Sequence, residues 1–347
     1  NTIEDVRRRL AAQPRRWLVT GSAGFIGSHL VQALLELDQT VVGLDNFESC
    51  EDPRRKRRNV SELTQHASAD RFVLCEADVR DADALGEVCQ RYRFDAIVHL
   101  AALAGVRASI PQSRRYYDVN VNGSLVLLEA AKEHGVGSFV FASTSSVYGD
   151  SELRPFTESQ ACDRPLSPYA ASKRAVELLG AAYHHLYRLH FTALRFFTVY
   201  GPRNRPDMMA YKLLESIVLG KRVPLYDRGR LRRDWTFVTD VARGVVAAVD
   251  CQLGYQVINL GRGDAVLLRD FVSTLEELSG GRANLVDEPA PAADMPHTHA
   301  HIEKARTLLG YTPATSVREG THALWRWYLS HLESTMGRSE SLLGSEL

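Results

Sequence analysis

The first half of the chain alternates two patterns of apolar residues. Arg16–Thr20 (RWLVT), Thr40–Leu44 (TVVGL), Arg71–Cys75 (RFVLC), Ala96–Leu100 (AIVHL) and Ser138–Ala142 (SFVFA) are short runs rich in β-branched and aromatic residues. They are bounded and nearly continuous, as expected of strands buried on both faces. Between them lie helical spacings. Ile26, Leu30, Ala33, Leu34 and Leu37 recur at intervals of three and four, and Arg114–Glu133 and Tyr169–Leu189, the latter behind Pro168, read as longer helices. This β-α-β-α order predicts a doubly wound parallel sheet with helices on both faces and ligands at the carboxyl ends of its strands.

After Phe191–Phe196 the pattern changes. Tyr200–Pro206 is rich in Pro, Arg and Gly, and the runs beyond it are short: Val223–Tyr226, Trp235–Val238 and Val257–Leu260. The expected organisation has four parts: an extension over 1–15, an α/β domain over 16–197, a smaller mixed α/β lobe over 198–330, and a polar, mobile tail over 331–347. A later segment around 235–262, with a helix at Asp240–Asp250, is expected to rejoin the main sheet.

A length of 347 residues suits two such units. Basic and acidic residues balance at 42 each, so no global field favours nucleic acid or an anionic membrane. No apolar run approaches the ~20 residues of a membrane span, and the charged start lacks the apolar core of a signal peptide. Cysteines 50, 75, 89, 162 and 251 form no C-x-x-C, which predicts reduced thiols in a cytoplasmic protein.

Thr20-Gly21-Ser22-Ala23-Gly24-Phe25-Ile26-Gly27 joins the first strand to the first helix. Glycines at 21, 24 and 27 would permit a tight turn, close backbone approach to a pyrophosphate and close helix–strand packing, with free N–H groups of the helix start on the phosphates. Asp45 closes the second strand 18 residues after Gly27. A carboxylate there would accept from the adenosine ribose hydroxyls and repel a 2′-phosphate, favouring NAD over NADP. Asp78, in Asp78-Val79-Arg80, is a candidate acceptor for the adenine amino group.

Tyr169 and Lys173 are four apart on one helix, so their side chains share a face. An ammonium one turn away would favour the phenolate of a group whose pKa is otherwise ~10, making a proton-transfer device beside a hydride acceptor. Thr144, in Ser143-Thr144-Ser145-Ser146-Val147-Tyr148-Gly149, could bridge substrate and tyrosine.

Together these residues resemble an extended short-chain dehydrogenase/reductase of the nucleotide-sugar epimerase type. The likeness runs from about Arg16 to Tyr328: T-G-x-x-G-F-I-G, Asp45-Asn46, H-L-A-A at His99–Ala102, the Thr-Tyr-Lys set and Arg233-Asp234. It implies a Rossmann-type domain that retains NAD, a small lobe holding a UDP-sugar, and a homodimer paired through two helices per subunit, here Arg114–Glu133 and Tyr169–Leu189. It implies that Tyr169 takes the C4 hydroxyl proton, that Thr144 positions that hydroxyl, and that Lys173 bonds the nicotinamide ribose. Phe25, Ile26, Asn46, Phe47, Val79, Leu100, Ala101, Ala102, Asn120, Ser143 and Phe196 match cofactor positions.

Phe196–Pro202 and Arg203–Asp207 resemble the UDP-glucuronate 4-epimerase subgroup, with Thr198 where UDP-galactose 4-epimerases commonly carry Asn. Oxidising C4 of a glucuronate gives a β-keto acid that sheds carbon dioxide easily. Neutral donors at Thr144, Ser145, Ser146 and Thr198 could hold its carboxylate in a safe orientation, and Arg107 is a candidate positive group near the sugar. Arg205 and Arg233 match diphosphate-binding arginines, Asp294 the acid at the uridine ribose, and Val223, Leu225 and Tyr226 a cover for uracil. The alternatives are a UDP-N-acetylglucosamine 4-epimerase, a UDP-glucuronate decarboxylase and a non-catalytic NAD-binding protein. The basic run Arg54–Arg58, with acids at 48, 51 and 52, reads as a solvated helix face. His297, His299 and His301 lack a partner acid at ligand spacing, so no metal is expected.

Overall fold

The computed structural model describes residues 2–48 and 53–343. Its main sheet contains β1 (Arg16–Thr20), β2 (Thr40–Asp45), β3 (Phe72–Glu76), β4 (Ala96–His99), β5 (Ser138–Thr144) and β6 (His190–Phe196). The chain then forms β7 (Thr198–Tyr200), β8 (Val223–Tyr226), β9 (Arg232–Phe237), β10 (Tyr255–Leu260), β11 (Ala265–Leu267) and β12 (Leu285–Glu288). Strand β10 returns to the main sheet, giving a seven-stranded order β10-β6-β5-β4-β1-β2-β3 in which every pairing is parallel. This is a Rossmann-type fold. The strand order reverses between β1 and β4, so a crevice opens there at the carboxyl edge.

Helices cover both faces, as the two-sided apolar strands require. The chain contributes α1 (Ile3–Ala12), α2 (Phe25–Leu35), α3 (Pro53–Leu63), α4 (Ala82–Tyr92), α5 (Val106–Ser109), α6 (Ser113–Tyr117), α7 (Gly123–Glu133) and α8 (Pro168–Tyr187). It continues with α9 (Met209–Leu219), α10 (Val238–Cys251), α11 (Leu268–Ser279), α12 (Glu303–Leu309) and α13 (Val317–Leu343). One core packs α1, α2 and α10 against the sheet through Val6, Leu30, Leu34 and Val245. The other packs α4, α7 and α8 through Leu85, Leu127, Leu128 and Val176. A third core, in the small lobe, joins a three-stranded sheet β11-β9-β7 to α9, α11 and α13 around Trp235, Phe271 and Tyr328.

Three details depart from the sequence expectations, and the packing of the extension adds to them. The helix expected over Arg114–Glu133 is α6 and α7 joined by a π-helical turn at Asp118–Asn122. The segment that rejoins the main sheet is α10 and β10, while Trp235–Phe237 stay with β9 in the small lobe. The extension is built in: Val6 and Leu10 of α1 are fully buried, and Arg9 and Arg15 bond the buried carboxylate of Asp250. The stretch expected to be a mobile tail is helical as far as Leu343, and residues 344–347 lie outside the described residues.

Candidate active site

The crevice at the reversal of strand order opens into a continuous cavity of about 800 Å³, a size suited to small-molecule ligands. One wall is the Gly21–Gly27 turn. Gly21 has φ +70°, and a Cβ on Gly27 would stand 2.1 Å from the Gly21 carbonyl oxygen, so no side chain fits there. Gly24 starts α2 without a side-chain cap. The first N–H groups of that helix therefore open onto the cavity as an anion cradle. The turn is held from below: Ser124 Oγ donates to the Asn120 carbonyl (2.5 Å) and so accepts from His99 Nε2–H (2.9 Å), which leaves Nδ1 to accept from Thr20 Oγ1 (2.7 Å), itself an acceptor from Ala101 N (3.3 Å). Both nitrogens of this buried imidazole are used, and burial pulls its pKa down to about 3.

Asp45 ends β2, almost wholly buried. It accepts from Ala23 N (3.1 Å) and Phe47 N (2.9 Å) and pairs with Lys56 Nζ of α3 at 2.8 Å. The carboxylate thus faces the cavity already neutralised, so charge alone would not repel a 2′-phosphate as the sequence predicts. Asp78 is also committed. Its oxygens accept from Arg80 N, Nε and Nη2 and from Asn46 Nδ2 at 2.8–2.9 Å, which leaves little acceptor capacity for an adenine amine. Arg80 holds its carboxyl far below the usual range.

At the other end of the cavity, β5 delivers Ser143 and Thr144, a 3₁₀ turn delivers Ser145 and Ser146, and the start of α8 delivers Tyr169 and Lys173. Ser167 caps α8 by accepting from Ala170 N, and Pro168 opens its first turn, which fixes where Tyr169 points. Burial raises the Tyr169 phenol. It is opposed by the Arg205 guanidinium and by the neighbouring Thr144 hydroxyl, which donates to Ser146 Oγ at 3.2 Å, whereas the sequence predicts that help from Lys173. The lysine is nearly inaccessible, lies 4.7 Å over the Phe141 ring, and is pulled down to about 7 by burial. A bound anion or ribose hydroxyl beside it would restore its charge. The Tyr116 ring meets Tyr169 edge-on at 6.3 Å.

The small lobe closes the cavity. Arg107, from α5, reaches across to Asp294 (Nη2–Oδ2 2.6 Å) and to the Tyr226 hydroxyl (2.7 Å). Arg233 lies near both Arg107 and Asp294 and is pulled down by burial. Arg107 is paired with that carboxylate and Arg233 donates to the Arg232 and Pro296 carbonyls, so two guanidinium groups beside one carboxylate leave net positive charge, the balance a diphosphate requires. Arg205 lines the same space and is forked to Asp207. Thr198 also lines it, as its register partner Trp235 does.

Gly21, Gly24, Phe25, Ile26, Gly27, Asp45, Asn46, Asp78, Val79, Leu100, Ala101, Ala102, Ser143, Lys173 and Phe196 all line this cavity, as do Tyr169 and Thr144. Four expected residues do not line the cavity. Asn120 spends its amide on Leu103 N and O and on Ser172 Oγ, stapling the π turn to α8. Phe47 takes φ +55° and packs its ring under Arg57 at 4.2 Å. Val223 and Leu225 share one face of β8 and join the small-lobe core, while Tyr226 turns the other way. Ser143 lines the wall, but its hydroxyl donates to Glu177 (2.6 Å).

Sequence reasoning missed Lys56, Arg203, Asn204 and Lys212 in the lining. Lys56 lies inside the basic run read as solvated. That run is a set of contacts: Arg55 donates to the Asn204 carbonyl and lies over Tyr211, Arg57 pairs with Glu76, and Arg58 bonds His331. The acids at 51 and 52 and Cys50 lie outside the described residues; Cys75, Cys89 and Cys162 are free thiols, and the Cys251 thiol donates to the Leu308 carbonyl (3.5 Å). The His297 and His299 rings stack at 6.1 Å. Among the described residues no helix is long and apolar enough to cross a membrane.

Known proteins match the chain along most of its length. Residues 17–261 fit the model of the NAD dependent epimerase/dehydratase family. The chain belongs to that family. A UDP-glucuronate 4-epimerase of Thermodesulfobacterium geofontis is 39% identical over 318 residues, 91% of this chain and 97% of the relative. The crystal structure of UDP-glucuronic acid 4-epimerase from Bacillus cereus, in complex with UDP-glucuronic acid and NAD, is similar with a TM-score of 0.84 and 36% identity, over 90% of this chain and 98% of that one. A UDP-N-acetylglucosamine 4-epimerase from Methanobrevibacter ruminantium matches with a TM-score of 0.83 at 28% identity, over 92% and 99%.

Proposed function

We propose that this protein interconverts UDP-glucuronate and UDP-galacturonate by NAD-dependent epimerisation at C4. The observation that carries this reading is one cavity that joins an uncapped, glycine-lined helix start to a Thr144–Tyr169 hydroxyl pair, ringed by the hydroxyls of Ser145, Ser146 and Thr198. Similarity to UDP-glucuronate 4-epimerases in sequence and structure supports it.

NAD, when bound, supplies a reversible hydride acceptor for C4. The α2 start and the Gly21–Gly27 turn would hold its pyrophosphate, and Asp45 with Lys56 its adenosine ribose. Lys173 would bond the nicotinamide ribose and stay charged there. Tyr169 Oη takes the C4 hydroxyl proton as the carbon is oxidised and returns it after the ring has turned. The Arg205 charge and the Thr144 hydroxyl lower the cost of the phenolate that this requires. Arg107, Arg205 and Arg233 hold the diphosphate through that rotation, so the 4-keto sugar does not escape. Ser145, Ser146 and Thr198 donate to the sugar carboxylate and oppose its loss as carbon dioxide.

The same reading includes a cytoplasmic homodimer. Leu125 of α7 and Leu178, Leu186 and Tyr187 of α8 are exposed apolar side chains on the two helices expected to pair, and a second copy of this chain would cover them. The activity test is to incubate the purified protein with UDP-glucuronate and no added NAD, and resolve products by anion exchange. UDP-galacturonate is expected. Its absence, or release of a UDP-pentose, overturns the proposal, and faster turnover of UDP-N-acetylglucosamine reassigns the substrate.

A further inference from the structure

Behind the reacting groups lies a buried ion pair that no step above uses. Glu177 follows Lys173 by one turn and Tyr169 by two on α8, so the three share a face. Its side chain is inaccessible and its carboxylate takes four hydrogen bonds. Oε1 accepts from Ser143 Oγ (2.6 Å) and Arg195 Nε (2.9 Å), and Oε2 accepts from Arg195 Nη2 (2.8 Å) and Arg174 Nη1 (2.9 Å). Arg195 lies in β6 directly beside Ser143 of β5. Its guanidinium also lies 4.8 Å over the Tyr148 ring. Tyr148 donates to Asn259 Oδ1 (2.6 Å) and stacks on Phe156 at 4.5 Å.

Ser143 and Tyr148 are the two ends of the segment that carries Thr144, Ser145 and Ser146. One end is tied to Glu177 and the other to Arg195. A buried ion pair is a poor source of stability, because desolvation of both charges offsets their attraction, and apolar side chains of similar size would serve as well. It does fix geometry, since a carboxylate with four donors and a planar guanidinium can be satisfied in few arrangements.

We infer that Glu177 and Arg195 are positioning residues. They hold the Thr144–Ser146 hydroxyls at a fixed depth against α8, and so hold Thr144 against Tyr169. This rests on the roles proposed above for Thr144 and Tyr169. The groups around Tyr169 are Lys173 on its own helix, Arg205 (paired with Asp207) from the small-lobe side, Tyr116 from α6 and Thr144 from β5. Of these, Thr144 adjoins Ser143, which is tied to Glu177. Releasing the Ser143 anchor lets the strand end lift, the phenolate loses a donor, and its pKa rises.

The test compares Ser143→Ala and Glu177→Gln with wild type in kcat, KM, cofactor content, melting temperature and the acid limb of the kcat–pH profile. Ser143→Ala is expected to lower kcat roughly tenfold and to move the acid limb alkaline by about half a pH unit. KM should stay near wild type, and the melting temperature should fall by only a few degrees, the loss of one of four donors to a buried carboxylate. Glu177→Gln should show the same alkaline shift; if it fails to fold, Ser143→Ala still decides. An active wild type with an unmoved kcat and acid limb in Ser143→Ala overturns the inference and leaves the function standing. A wild type inactive on UDP-glucuronate overturns the function instead. The inference is then read from the Tyr169 titration in ¹³C-tyrosine-labelled protein, assigned by Tyr169→Phe: an alkaline shift in Ser143→Ala supports it and an unchanged pKa refutes it.

Discussion

On the side of the cleft proposed to hold the cofactor, Gly21, Gly24, Gly27 and the start of α2 lie within a single turn of chain, and what they offer a ligand is mostly backbone N–H. On the side proposed to hold the sugar nucleotide, Arg107 meets Asp294 from 187 positions away and Tyr226 from 119, and what is offered is side-chain charge. The first kind of site tolerates almost no added volume, because backbone touches backbone. The second tolerates exchange of a residue but depends on two lobes arriving together. Damage should therefore appear as lost cofactor on one side and as weakened substrate binding on the other, with Tyr169 between them affecting neither.

The largest effect expected is on turnover. Tyr169→Phe should lower kcat on UDP-glucuronate by roughly a thousandfold, with the cofactor still present in the purified protein by its absorbance. Surviving turnover would remove the tyrosine from the chemistry and erase the boundary between the halves. Gly27→Ala comes next. Its Cβ would collide with the Gly21 carbonyl, and the cofactor retained through purification should fall by roughly tenfold or more, an affinity loss of at least ~1.4 kcal/mol. Full retention would mean that the turn does not hold the pyrophosphate.

On the sugar side, Arg107→Ala should raise KM for the UDP-sugar about tenfold, the loss of one charge-assisted contact, while cofactor content stays unchanged. An effect on cofactor instead would dissolve the comparison. The joint variant Leu178→Glu and Leu186→Glu should shift sedimentation toward monomer; an unshifted dimer would place the interface elsewhere.

The last effect concerns acid and bears on stability, not on turnover. Burial holds His29 at about 4 and His99 at about 3, below the ordinary histidine value of 6.5. Between 6.5 and those values the unfolded chain binds more protons than the folded one, so stability falls as pH falls through that window. Each contributes a slope of up to about 1.4 kcal/mol per pH unit. Both lie in the cofactor half, so the urea midpoint and cofactor retention should decline together from pH 6.5 to 5. A flat urea profile would mean that these imidazoles are not kept neutral by the fold.

Much of the cofactor half was legible because its requirements are local. A glycine that no side chain can replace, a helix start and an acid at the end of the next strand are all properties of short segments. The misreadings share a cause, since sequence reports what a side chain can do and not what already occupies it. Asp78 carries the right carboxylate, but Arg80 and Asn46 use it; Asn120 has the right amide, but Leu103 and Ser172 use it. Lys56 was hidden in a run of like charges whose partners lie on β2, β3, α9 and α13.

The sequence by itself determined the parallel sheet, the tight glycine turn at the start of α2 and the facing of Tyr169 and Lys173, because periodicity and backbone sterics act over a few residues. Only the tertiary structure decided that Arg205 and Thr144 tune the phenol, that Lys56 neutralises Asp45, and that Glu177 with Arg195 frames the hydroxyl segment. Those are contacts between side chains far apart in the chain. Electrostatic effects depend on distance and desolvation, which exist only once the lobes and strands have packed.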